Sequence, residues 1–323
     1  MSFANTTYTD IVTTTLVKQS KKLADNITGN NALLKTLEMK GNIRPFTGGR
    51  TLVEEILQKE NGNAGWYSGY DTLPTGTSDV ISAAEYAIKQ AACPVLMSGL
   101  EEIQNDGEEA VIDLLEGRIK AAQATMKNLI SAGLYSDGTG NGSKQITGLL
   151  AAVPVDPTTG TYGGINRATS GNEFWRSYAL DTGGAPSSTT IQGHFNTAWA
   201  NLTRGTDHPD LIPCDNTVWA AYMASLQTAQ RFSNSKLAQL GFSTMQHIGG
   251  DVVLDGGIGG DATTATAFFL NTNFLFWRPS SKRNMVPLKA RTPWNQDASV
   301  TTIVFAGNLT CSGARFQGQI LFS

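Results

Sequence analysis

Residues 50–98 read RTLVEEILQKENGNAGWYSGYDTLPTGTSDVISAAEYAIKQAACPVLMS, and this stretch decides the fold. A charged, alternating segment from Arg50 to Glu60 runs into a tip of glycines and aromatics, and a second extended segment, Val80 to Ser98, returns from it. That is the pattern of a long hairpin. Three rings in its tip, Trp66, Tyr67 and Tyr70, have no room to bury one another in a narrow two-stranded arm. Left in water, they form the kind of apolar patch that marks a partner site. The chain is therefore built to be completed by a neighbour, which points to assembly rather than catalysis.

A rod follows the arm. From Glu108 to Leu134 the residues Val111, Leu115, Ile119, Ala122, Met126, Leu129 and Gly133 recur at steps of three and four, one face of an α-helix. Asp106 is the expected N-cap, Glu108 and Glu109 suit the positive end of the helix dipole, and Glu116 is placed to pair with Lys120. At about 1.5 Å per residue the helix is roughly 40 Å long. Gly117 inside it costs about 1 kcal/mol against alanine, so close backbone packing is expected there. Residues 138–142, GTGNG, end it.

The 323 residues set a prior of about two domains and allow a sizeable core. Only 16% of residues are charged, against about 25% for an average soluble domain. A low charge suits a surface that is buried in neighbours. Cys93, Cys214 and Cys311 are far apart and without metal-ligand spacing, so they read as buried thiols made in a reducing cytoplasm. The N-terminus lacks the basic and apolar regions of a secretory signal. The most apolar run, Phe268 to Trp277, is too short to span a bilayer.

Candidate chemistry fails on context. Gly256-Gly-Ile-Gly-Gly-Asp begins like a calcium-binding nonapeptide, but such repeats bind metal only when stacked, and one copy is present. Residues 138–144 lack the spacing of a phosphate loop and follow a helix rather than a strand. His194, His208 and His247 are isolated from one another and from the cysteines, without a zinc-pair spacing. The carboxylates of residues 99–116 surround a helix start, where they serve capping better than acid–base work. No catalytic, cofactor or metal residue is assigned.

Charge is segregated along the chain. Residues 1–45 hold six Lys/Arg against three Asp/Glu, and residues 50–109 hold three against eleven, a net of −8. Arg278, Lys282, Arg283, Lys289 and Arg291 form a run with no acid. A basic arm, a long hairpin with an aromatic tip, a rod-like helix, a mixed α/β block and a strand-rich return, in that order, resemble the major capsid proteins of tailed bacteriophages. The most specific local match is the helix exit, SDGTGNG at 136–142 followed by QITGLL at 145–150.

The resemblance implies an α+β HK97-like capsid fold. Its parts are an N-terminal arm (1–45), an extended hairpin loop with flanking strands (46–98), a spine helix of the peripheral domain (99–136), an axial domain (137–270) and return strands, mainly of the peripheral domain (271–323). Within these, helices are expected over 10–27, 31–40, 188–202 and 216–230. Strands are expected at 211–214, 242–248, 251–254 and between Val300 and Leu321. The implied function is structural: self-assembly into pentamers and hexamers of an icosahedral shell enclosing double-stranded DNA, in a virion made in a bacterial cytoplasm. The implied partners are further copies, a separate scaffolding protein, a portal, decoration proteins and non-specifically held DNA, with no membrane and no cofactor. An encapsulin-like nanocompartment shell shares the fold, and a soluble carboxylate-dependent hydrolase is the alternative from another class. The expected inter-subunit residues are Glu54, Glu55, Glu60, Trp66, Tyr67 and Tyr70 on the hairpin, and Lys282, Arg283, Lys289 and Arg291 on the surface it meets.

Overall fold

The structure is a computed structural model that describes residues 31–104, 111–226, 244–256 and 260–323. Asn31 caps the first helix, α1 (Ala32–Met39): its side-chain oxygen accepts from the Leu34 amide at 2.9 Å, and its amide donates to Ser131 Oγ at 2.9 Å. The helix is too short to hold itself. It is ordered by burying Ala32, Leu33 and Leu37 in the core of its own chain.

The hairpin is β1 (Thr51–Leu57) against β2 (Ile81–Ala87), antiparallel from Thr51↔Ala87 to Leu57↔Ile81. The returning segment is not one strand, as the sequence suggested. It breaks at Ile88, and β3 (Lys89–Ser98) leaves the hairpin to pair antiparallel with β12 (Ala298–Cys311). With β11 (Leu275–Pro287) this makes a three-stranded sheet of order β11-β12-β3. Pro94 lacks an N–H to give to a ladder, and β3 accordingly lies at the edge.

A short helix, α2 (Gly99–Gln104), precedes the rod, α3 (Val111–Leu134). The helix expected over 10–27, the capping residues Asp106, Glu108 and Glu109, and the side chains of Val111, Leu115 and Glu116 lie outside what is described. The inward face differs by one position from the expected stripe. Ala122, Met126, Ile130 and Leu134 are buried, whereas Leu129 is half exposed. Steps of four keep one face toward a flat sheet, and Ile130 rather than Leu129 falls on that face. A Cβ on Gly117 would meet nothing within 4 Å, so no described residue makes the close packing expected there. It occurs instead at the helix exit. A Cβ on Gly148 would sit 2.4 Å from the carbonyl oxygens of Gly133 and Leu134, so the QITGLL segment packs backbone on backbone against the last turn of α3.

Residues 149–181 hold α4 (Leu149–Ala152), the small hairpin of β4 (Thr161–Tyr162) and β5 (Ile165–Asn166), and β6 (Tyr178–Asp181). Buried Arg167 ties this region together by donating to the carbonyls of Ala151 at 3.1 Å and Trp175 at 3.2 Å. Then come α5 (Ile191–Leu202), β7 (Leu211–Cys214), α6 (Asn216–Ser225), β8 (Thr244–His247), β9 (Gly250–Leu254) and β10 (Thr266–Phe269). The strands expected at 211–214, 242–248 and 251–254 are thus all present. The last strand, β13 (Gly318–Leu321), does not stay with the three-stranded sheet. It inserts between β6 and β10 in a six-stranded sheet of order β6-β13-β10-β7-β9-β8.

That sheet serves two cores, because successive side chains of a strand point to opposite faces. Ile212, Val252, Ala267, Phe269 and Ile320 pack with Phe195, Trp199 and Tyr222 of α5 and α6. Leu211, Val253, Phe268 and Leu270 face the other way, into the core shared by α1, α3, the hairpin base and the three-stranded sheet. Each fully buried side chain of this kind contributes about 1.5–3 kcal/mol. The six-stranded sheet is thereby fixed to the spine helix.

Candidate assembly interface

The hairpin has a locked base and a free end. At the base, Leu52, Glu54 and Ile56 share one face and are buried, as are Ala84 and Tyr86 opposite them. Tyr86 Oη donates to the Cys311 carbonyl at 2.7 Å, and Asn308 Nδ2 donates to the Ala87 carbonyl at 2.8 Å. The Glu85 amide donates to the Gly163 carbonyl at 2.9 Å. Glu54 is the electrostatic part of this clamp. At 5% exposure it accepts from Arg278 Nη1 at 2.6 Å and Thr310 Oγ1 at 2.9 Å, with Arg44 Nη1 at 4.0 Å. The Arg44 guanidinium also lies 3.6 Å from the centre of the Phe276 ring.

Glu54, expected from its sequence at a contact with a neighbour, is buried inside its own subunit. It is spent inside the subunit, on the first cation of the run that was expected to meet a second copy. Between Leu52 and Ile56 at a period of two it had to point inward, and burial of its charge is tolerated because Arg278 comes with it. Tyr86 is raised well above its ordinary value by burial.

Beyond Leu57↔Ile81 the two strands leave the body. Leu57 and Ile81 are exposed, and so is Leu73. Among the described residues the tip is shaped by bonds within itself, among them the Gln58 amide to the Val80 carbonyl at 2.9 Å, the Asp71 amide to the Ser68 carbonyl at 2.8 Å, and the Ser68 amide to Asp71 Oδ2 at 2.7 Å. Trp66 and Tyr70 are fully exposed and Tyr67 is 68% exposed. Glu55 and Glu60 are exposed on the same arm.

The cationic run lies on the second half of β11 and the turn after it. Lys282, Arg283, Lys289 and Arg291 are all exposed. None of the four has an ion-pair partner among the described residues. The Arg291 amide donates to the Val300 carbonyl at 3.0 Å, closing a second projecting turn that carries fully exposed Trp294, which the sequence reading had not singled out. Among the described residues of the two charged segments, only Glu54 and Arg278 are brought together within the subunit.

The titratable groups of the interior are structural. His247 is buried among Phe195, Trp199 and Tyr222, its Nδ1 2.9 Å from Tyr222 Oη, and burial lowers its pKa to about 4. His208 stacks on Trp199, and His194 lies edge-on to Phe322. Asp255, at the end of β9, joins three elements: it accepts from Tyr135 Oη at the end of α3 and from the Ala32 amide of α1. Burial, with a smaller contribution from neighbouring Asp261, raises its pKa to about 6. Glu101 is held down to about 2, chiefly by Arg118, which donates to it at 2.8 and 3.0 Å, and also by the Ser98 amide. All three cysteines are free thiols; Cys214 and Cys311 are buried as expected, whereas Cys93, on the edge strand β3, is only partly buried. Among the described residues no three His, Cys, Asp or Glu side chains are grouped to hold a metal, and no helix is long and apolar enough to cross a membrane.

No family model matches the sequence, and no curated protein matches it. The structure matches solved phage capsids over nearly its whole length. The capsid asymmetric unit of cyanophage A-1(L) is 17% identical with a TM-score of 0.65, covering 94% of this chain and 97% of that one. The capsid of the native GTA particle is 13% identical with a TM-score of 0.57, covering 94% and 95%. The capsid of Myoviridae phage XM1 is 13% identical with a TM-score of 0.53, covering 94% and 97%. With its extended hairpin, spine helix and two sheets in this order, the chain has the HK97-type capsid fold.

Proposed function

We propose that this chain is the major capsid subunit of a tailed bacteriophage, a structural protein that assembles into pentamers and hexamers of an icosahedral shell around double-stranded DNA. The observation that carries the reading is the hairpin: its base is clamped by a buried ion pair while Trp66, Tyr67 and Tyr70 stand in water at its end. A monomer gains nothing from such an arm, whereas large rings become binding anchors once desolvated in a neighbour. In this reading residues 1–45 act as the arm, 46–98 as the extended loop and 99–136 as the spine. Residues 137–270 act as the axial domain, with 271–323 returning mainly to the peripheral domain. Scaffolding, portal and decoration proteins are the further partners, DNA is held without sequence preference, and the shell forms in the bacterial cytoplasm.

The test is to express the full chain, image it by negative stain and analyse the particle contents. Shells built of rings of five and six support the proposal, and shells carrying an enzyme cargo in place of a genome identify a nanocompartment. A chain that stays a monodisperse monomer at all salt concentrations even when a scaffolding protein is supplied refutes it.

A further inference from the structure

The outer edge of β3 is half closed by side chains from two helices, and we propose that Glu101 and Arg118 are a guard that keeps this edge from pairing with the β3 strand of a second copy. β3 ends the sheet order β11-β12-β3, and no described strand pairs with its outer edge. Which of its groups face outward follows from β12. The Arg291 amide donates to the Val300 carbonyl at 3.0 Å, the Val300 amide donates back to the Arg291 carbonyl at 2.8 Å, and the Leu288 amide donates to the Thr302 carbonyl at 2.8 Å. Val300 and Thr302 thus spend their backbone groups on the β11 side. Their partners across the ladder, Leu96 and Pro94, therefore turn theirs away from β12, as do Gln90, Ala92 and Ser98 in the same alternation. From Gln90 to Ser98 the strand carries no charge, and Gln90, Ala92, Pro94 and Leu96 are exposed. An exposed, uncharged edge is a template for another strand. A second copy of the same strand meets it without like-charge repulsion. There is room for it: a partner strand lies about 4.8 Å away, over a trough of about 550 Å³ floored by the small side chains of Ala121, Ala122 and Thr125.

Three residues take up or remove the outward groups. Pro94 has no N–H at a position where an incoming strand needs a donor. The Leu96 carbonyl accepts from Arg118 Nη1 of α3 at 2.9 Å, and the Ser98 amide donates to Glu101 Oε2 of α2 at 3.0 Å. Arg118 then closes on Glu101 through both terminal guanidinium nitrogens, at 3.0 and 2.8 Å. The Glu101 amide donates to Ser98 Oγ at 3.2 Å, which sets α2 across the end of the strand. Forked contact of this kind is the strong form of an ion pair. A tether between α2 and α3 needs only the fork. Here the same two side chains also take one acceptor and one donor of the open edge, the two groups that a pairing strand would use next to Pro94.

The test uses the full chain in dilute solution, with any shells removed by centrifugation. Wild type and the double variant Glu101→Ala, Arg118→Ala are compared by sedimentation velocity over a concentration series, and by amide hydrogen exchange read at Ala92 and Leu96. The double variant should dimerise at a concentration about tenfold lower than the wild type, the effect of one or two net hydrogen bonds. Both amides should become protected as the dimer forms. Adding Ala92→Lys puts a charge on the open edge without restoring the ion pair, and should return the double variant to a monomer. A pair that only tethers α2 to α3 would not be rescued in this way. If the double variant loses native circular dichroism, Pro94→Thr decides: it keeps the pair, supplies the missing N–H, and should raise association that Ala92→Lys again reverses. Association unchanged from the wild type, or raised but unaffected by Ala92→Lys, overturns the guard. So does slow exchange of the Ala92 and Leu96 amides in the dilute wild type, which shows an edge already covered. None of these readouts depends on shell formation, so the outcome is separate from that of the assembly reading.

Discussion

Removing the charge of Glu54 is the sharpest perturbation of the hairpin base. Glu54→Leu leaves Arg278 with a side chain only 19% exposed and no anion, and its Nε already has no hydrogen-bond partner. Breaking a fully buried pair from one side costs about 3–5 kcal/mol. The residual exposure of Arg278 lowers this to about 2–4 kcal/mol on the same scale. Arg44, whose side chain is 53% exposed at 4.0 Å, adds only about 0–1 kcal/mol. Arg278→Met leaves Glu54 as the uncompensated charge and is expected to cost a similar amount.

The double variant Glu54→Leu, Arg278→Met buries two apolar side chains of comparable size in place of the pair, and the Thr310 hydroxyl keeps the Phe276 carbonyl at 3.3 Å as its acceptor. It is expected to lie within about 1 kcal/mol of the wild type, so the two changes are strongly non-additive. Urea denaturation of unassembled subunits, followed by circular dichroism, measures all four corners of this cycle. If either single variant matches the wild type within about 0.5 kcal/mol, or the double is no better than the worse single, the base is not held by this pair.

Four further outcomes are expected. Replacing Gly62 to Ser78 by a short glycine-serine turn should leave a soluble subunit with native circular dichroism that forms no shells; an unfolded product would assign the tip to the subunit's own core. Reversing Glu55 and Glu60 to lysine should slow assembly followed by light scattering, as should reversing Lys282, Arg283 and Lys289 to glutamate. The combined reversal should recover a good part of the rate, and a rate insensitive to salt would count against the pairing of these exposed charges. Asp255 has a folded pKa of about 6 against an ordinary 3.8, so the folded state holds a proton that the unfolded chain has released. Stability should therefore fall as pH rises from 4 to 7, by at most about 3 kcal/mol, and Asp255→Asn should flatten that slope in denaturation curves at fixed pH. Glu101, depressed to about 2, acts in a separate window: its contribution is present above pH 4.5 and lost as pH falls toward 2.

Local pattern carried much of the fold. The tip aromatics, the rod, the helices at 191–202 and 216–225 and the short strands at 211–214 and 250–254 each have a signal within a dozen residues of themselves. What failed was of two kinds. One was non-local: nothing in residues 80–98 shows that β2 belongs to β1 while β3 belongs to β12, because the partner of β3 is some two hundred residues away. The return of β13 to the six-stranded sheet is of the same kind.

The other failure was legible and was missed. Leu52, Glu54 and Ile56 alternate, so an acid flanked at two residues on either side by large apolar side chains shares their face and requires a buried cation. The acid-free run from Arg278 to Arg291 contains that cation at its first position. The two charged segments therefore divide their work along their length. Glu54 and Arg278, nearest the core, lock the arm to its own subunit. Glu55 and Glu60 on the arm, and Lys282 and Arg283 on the strand, stand outside that lock and remain in solvent. An arm that were loose at its base would spend conformational entropy each time its tip was captured; one that is fixed there presents Trp66 already positioned, and more of the ring's desolvation free energy appears as affinity. The buried pair is thus a condition for the exposed one to act, and weakening Glu54 should impair assembly even where the tip is untouched.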